Sequence, residues 1–345
     1  MGTMAPRYDA LLLVSFGGPE GPDDVMPFLR NVVRGRNVPE DRLRQVASQY
    51  AHFGGVSPIG DQCRALMKAV GEELARHGPP LPLYWGNRHW RPMLADTLQA
   101  MASDGVRRAL AFVTSAYASW SGCRQYLDDI ARARTQVGER APEIDKLRVY
   151  YNHPGFIEPL VELTGAAFQC IDEDRRGDAR LVFTAHSLPR ALAATSDYEA
   201  QLTETARLVA WALGRPGWSL VYQSRSGPPG QPWLEPDIVD HLRMLASEGA
   251  CDVVVAPIGF VSDHMEVVYD LDLQARSRAV ELGVNMVRAA TVGTHPRFVR
   301  MIRELIDERL TDAPVRLHLG PRGPAPDTCA PDCCPGPRRP PPPSG

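Results

Sequence analysis

Six short apolar runs, each closed by loop residues and separated by segments of helical periodicity, limit what this chain can fold into. They occupy residues 10–16, 81–85, 109–114, 181–184, 220–223 and 253–258, and helical patterns cover 92–103, 124–134, 158–171, 237–247 and 296–310. Strands and helices in alternation predict an α/β fold, with parallel sheets flanked by helices on both faces. The halves also echo each other. Leu83-Tyr84-Trp85, a loop, a helix and Ser103-Asp104-Gly105 precede the strand at Ala109; Val221-Tyr222-Gln223, a loop, a helix and Ser247-Glu248-Gly249 precede the strand at Val253. This predicts two similar domains facing a cleft, residues 8–150 and 151–312, behind a leader at 1–7. Beyond Asp312 the Gly/Pro-rich composition cannot build a core, so 313–345 reads as an irregular tail.

Open α/β sheets bind ligands just past the carboxyl ends of their strands. Two strand-end segments stand out there. Arg180-Leu-Val-Phe-Thr-Ala-His186-Ser-Leu-Pro189 places an imidazole before a sharp Leu-Pro turn, where it can act as general base or metal ligand. Its apolar flank predicts a neutral ring. The segment from Val253 ends in Ser262-Asp263-His264-Met265-Glu266 and continues to Asp270. If it is helical from Met265, then Glu266, Asp270 and Gln274 share one face. That stripe is either a solvated surface or a path for a divalent cation, and the apolar Met265, Val267, Val268 and Leu271 beside it favour the cation path. Asp263 and His264 are placed to orient neighbours or relay protons. The loop at 53–58 can bring Ser57 and backbone amides to an anionic group. No GxGxxG, P-loop, HExxH, GxSxG or CxxC motif occurs.

Seven cysteines divide into two sets. Cys63, Cys170 and Cys251 read as small buried residues. Cys329, Cys333 and Cys334 lie together in a tail that gains order only if something ties it down. A metal centre would do so with a fourth thiolate from the body, and Cys123, expected to be exposed in its loop, can supply it; iron–sulfur and zinc both suit four thiolates. Net charge of −3 and the lack of a basic run argue against nucleic acid. The absence of an export signal or a membrane-length apolar run predicts a cytoplasmic protein.

The stretches LLLVSFGGPEGPDDVMPFL (11–29), HFGGVSPI (52–59), TAHSLP (184–189), YQSRSGPP (222–229), PWLEPD (232–237) and PIGFVSDHMEVVYDLD (257–272) resemble ferrochelatases, most closely the actinobacterial coproporphyrin type. The resemblance implies two Rossmann-like domains around a cleft and insertion of Fe2+ into coproporphyrin III, with protoporphyrin IX or a non-catalytic tetrapyrrole-binding role as rivals. It puts His186 and Glu266 on the metal-handling pair, Ser57 and Tyr126 on the propionate side of the porphyrin, and Asp270 on the acidic line that leads metal inward. Gln274 interrupts that line. Phe16 stands where some relatives carry an axial Tyr, so no ligand to product iron is expected from that side. The resemblance further implies a [2Fe–2S] cluster on Cys123, Cys329, Cys333 and Cys334, and a monomer with room for peripheral membrane contact.

Overall fold

A computed structural model of the chain describes residues 8–227 and 230–337; the leader at 1–7, Pro228, Pro229 and the last residues of the tail lie outside them. The first half runs β1 (Ala10–Ser15), α1 (Pro22–Val32), α2 (Glu40–Ala51), α3 (Ile59–His77), β2 (Leu83–Asn87), α4 (Leu94–Ser103), β3 (Arg108–Val113), a π-helical turn (Trp120–Arg124), α5 (Gln125–Val137) and β4 (Glu143–Lys146). The second runs α6 (Pro154–Gln169), α7 (Glu173–Arg176), β5 (Arg180–His186), α8 (Arg190–Ala193), α9 (Tyr198–Ala212), β6 (Trp218–Gln223), α10 (Ile238–Ser247), β7 (Asp252–Ala256), α11 (Met265–Val267), a π-helical stretch (Val268–Ala275), α12 (Arg276–Glu281), β8 (Asn285–Arg288) and α13 (Pro296–Leu310). Among the described residues no helix is long and apolar enough to cross a membrane.

Both sheets are parallel and four-stranded, with the same order: β2-β1-β3-β4 and β6-β5-β7-β8. The central strands explain themselves. Ala-Leu-Leu-Leu-Val-Ser in β1 and Asp-Val-Val-Val-Ala in β7 are buried along their whole length, because helices cover both faces. β4 and β8 were not anticipated; Glu-Ile-Asp-Lys and Asn-Met-Val-Arg are short polar strands that blunt the sheet edges.

The carboxyl ends of the two sheets meet. Phe16, just past β1, packs with Phe28 of α1, Tyr50 of α2 and Trp90 in one apolar cluster, and Met265 and Tyr269 of the second half join it. On the opposite side α13, last in sequence, packs against α3 and α6. Beyond Leu310 the described residues form no regular element but are not loose. Buried Arg148 holds Glu308 through two bonds of 2.7 and 2.9 Å and donates to the Leu317 carbonyl at 2.8 Å. Asn152 accepts from the Leu319 N–H and donates to the Gly323 carbonyl, both at 2.8 Å.

Candidate active site and thiol cluster

β5 delivers His186 to the meeting of the sheets, paired in register with Gln223 at the end of β6. The imidazole is held on both sides. Nδ1 lies 2.5 Å from the Ser187 carbonyl, to which it donates, and Nε2 lies 3.2 Å from Glu266 Oε1. The side chains of His186 and Glu266 stay 29% and 46% exposed, so the pair is reachable from solvent. Burial works against a charge on His186, yet the Glu266 carboxylate outweighs it and lifts the pKa to about 9. Burial likewise opposes ionisation of Glu266, but the His186 charge prevails and holds the carboxyl at about 2. The expectation of a neutral His186 is therefore corrected: a carboxylate 80 residues away in sequence favours the imidazolium.

Glu266 is aimed by its neighbours. His264 caps α11, its Nδ1 accepting from the Glu266 N–H at 3.2 Å, while its ring stands edge-on to Phe260. Burial and the nearby His186 charge depress the His264 pKa, keeping that ring neutral. Gln223, almost fully buried, donates to the Glu266 carbonyl. The predicted α-helical stripe is also revised. From Val268 the backbone widens into a π-helix, so Glu266, Asp270 and Gln274 are not stacked at α spacing, and Gln274 faces solvent. Asp270 instead accepts a short hydrogen bond from Ser224, a non-glycine residue with φ of 63°. Burial raises the Asp270 pKa, with Glu266 adding repulsion, to about 7.

The first half supplies the facing wall. Ser57 is buried where its loop docks on the strand-end loop of β1, its N–H donating to the Pro19 carbonyl at 2.8 Å. Gly18 is required there, since a Cβ would sit 2.6 Å from that of Ser57. Tyr126 opens α5 beneath the guanidinium of Arg88, 4.5 Å from the ring centre. Arg88 also covers Phe16 and pairs with Asp129, so Tyr126 is shielded until Arg88 moves. The structure thus unites His186, Glu266 and His264 and sets Asp270 beside them, while Ser57 is buried at the strand-end loop of the first half and Tyr126 packs into that half's core. Arg88, Gln223 and Ser224 were missed, although each lies at or just past the end of an anticipated strand.

Cys123 is buried, 4% exposed, not exposed as its loop position suggested, because the π-helical turn folds it inward. Cys170 and Cys251 err the other way: one follows the end of α6, the other precedes β7, and both are exposed. The tail brings Cys329 into hydrogen-bond contact with Cys123, and Cys333 Sγ lies 3.5 Å from Cys334 Sγ. Arg124 pins this segment by donating to the Pro331 carbonyl at 2.6 Å, and Cys334 takes φ of 51°. Among the described residues no three His, Cys, Asp or Glu side chains surround one ion.

Comparison with known proteins agrees with this geometry. The ferrochelatase family profile matches residues 8–310. A ferrochelatase of Rhodopirellula baltica is 52% identical, covering 97% of this chain and 96% of its own. Coproporphyrin III ferrochelatases of Frankia alni and Nocardia farcinica are each 53% identical, covering 97% and 96% of this chain and 88% and 98% of theirs. Among solved structures, SirB from Bacillus subtilis with Fe3+ aligns with a TM-score of 0.52 at 12% identity, over 86% of this chain and 94% of that one, a likeness of fold.

Proposed function

The chain belongs to the ferrochelatase family, and from that membership and the cleft geometry we propose that it inserts Fe2+ into coproporphyrin III, giving the iron porphyrin and two protons in haem biosynthesis. The observation that carries the mechanism is the reachable His186–Glu266 pair.

Before metal arrives the pair is closed on a proton. Fe2+ arriving at Glu266 replaces the imidazolium as the carboxylate's partner. His186 then loses the charge that held its proton, burial acts unopposed, and the ring releases that proton to solvent and becomes a neutral base. Freed, it accepts one pyrrole proton as the metal enters the macrocycle, and the second leaves to solvent. Asp270, half-neutral near pH 7 and tied to Ser224, hands metal inward without competing for it. His264 holds Glu266 in place through the cap rather than moving protons through Nδ1, which is already engaged. Ser57 and, once Arg88 swings aside, Tyr126 take the propionate side. Work in the cytoplasm as a monomer acting on porphyrin and Fe2+, with room for peripheral membrane contact, completes this reading.

Cys123, Cys329, Cys333 and Cys334 would hold a [2Fe–2S] cluster, supplying a one-electron redox centre that also staples the tail. The purified protein should then be coloured and carry labile sulfide; a colourless chain counts against it. The function is tested by anaerobic turnover with Fe2+ and coproporphyrin III or protoporphyrin IX separately. Faster turnover of coproporphyrin III is expected. His186→Ala should lose about 10²–10⁴-fold in insertion rate, the range for a lost acid–base group; wild-type activity in that variant would end the assignment.

A further inference from the structure

The loop that carries Glu266 is gripped from both halves of the molecule. Gln62, in the first turn of α3, donates through Nε2 to the Asp263 carbonyl at 2.9 Å and accepts through Oε1 from the Asp263 N–H at 2.8 Å. One side-chain amide thus satisfies both polar groups of a single backbone residue, as a paired strand would. From beneath, Arg288 at the end of β8 donates to Asp263 Oδ1 at 3.0 Å and to both carboxylate oxygens of Asp272 at 2.6 and 2.8 Å. His264 and Glu266 follow immediately, so Asp263 is the fixed point from which the metal-handling carboxylate is hung. At the other end of the grip, α3 begins directly after Ser57 and Pro58. Its far end is fastened to α13 by Arg303, which donates to Glu73 at 2.8 Å.

We propose that Gln62 is a positioning residue for metal insertion: its amide sets the separation between the wall that carries Ser57 and the loop that carries Glu266. The inference rests on the function proposed above, because the separation matters only if a substrate spans the cleft while metal is delivered from the far side. The reacting groups must be aligned to within roughly an ångström for delivery to be efficient, and no covalent link crosses the cleft at this point. Gln62 itself touches neither His186 nor Glu266.

Gln62→Leu keeps the side-chain bulk and removes both bonds. Gln62→Glu keeps the acceptor for the Asp263 N–H but sets a carboxylate against the Asp263 carbonyl. Three readouts against wild type decide the matter: hydrogen–deuterium exchange of the peptide over 258–268, porphyrin affinity from the Soret shift, and kcat with Fe2+. In both variants exchange should quicken; kcat should fall about tenfold in Gln62→Leu, the scale of two lost hydrogen bonds, and also fall in Gln62→Glu, where one bond is lost and a carboxylate faces a carbonyl, with porphyrin affinity within about twofold in each. Unchanged exchange and kcat in Gln62→Leu would overturn the proposal. So would a loss of kcat matched by equal losses in porphyrin affinity and melting temperature, which would mark a general loosening. A wild-type chain that turns over neither porphyrin would refute the functional reading alone, since exchange still reports whether Gln62 holds the loop.

Discussion

His186 stands between burial, which opposes a charge, and Glu266, which demands one. Its folded pKa of about 9 lies above the ordinary histidine value of 6.5, so the pair's contribution to stability is whole below about pH 6.5 and fades as pH rises through 9. The carboxyl, held at about 2 against an ordinary 4.5, contributes above pH 4.5 and is lost as pH falls through 2. At neutral pH the pair is therefore closed. Replacing Glu266 by Gln should drop the His186 titration, followed by imidazole NMR, from about 9 to at or below the ordinary value, because burial is then the main influence left. A titration left near 9 would show that Glu266 is not the cause. Metal competes with the proton for this site, so apparent Fe2+ affinity in the wild type should strengthen with pH from 7 towards 9. Calorimetric titration in an inert atmosphere would measure it, and a flat profile would contradict the exchange of proton for metal.

Element geometry decides how firmly His186 is presented. Gly259, in the turn after β7, lies against β5, where a Cβ would come within 2.6 Å of the Ala185 Cα. Gly259→Ala should cost about 1–3 kcal/mol, as overpacking does, and displace the strand end that bears His186. Chemical denaturation would read the loss; full stability would mean the turn can give way. The interior strands were legible because their apolar runs are unbroken, and His186 was legible because it closes one of them. β4 and β8 were not, since polar edge strands lack that pattern. The stripe through Asp270 was read at α spacing, and nothing in Val-Tyr-Asp-Leu-Asp-Leu-Gln-Ala announces that the helix widens there. The burial of Cys123 followed from the same kind of turn. The protonation of His186 was out of reach for a different reason: it depends on a long-range pairing that no local window contains.

At the scale of the molecule, the buried Arg148–Glu308 pair joins the end of the first half, α13 and the tail. Arg148 is 1% exposed and Glu308 4%, so Glu308→Ala would strand a buried guanidinium and should destabilise the protein by about 3–5 kcal/mol. Limited proteolysis should then cut the segment around Leu317 sooner than in wild type, and equal cutting would show that the pair does not anchor the tail. The packing of α13 on α3 has a consequence for biosynthesis. Leu66, Val70 and Leu74 belong to the same core as Ile302 and Leu305, which leave the ribosome more than two hundred residues later. At about 5–20 residues per second that delay is roughly 10–50 s. For that interval the face of α3 that α13 will cover stays open to solvent while the rest of the helix already rests on the first sheet.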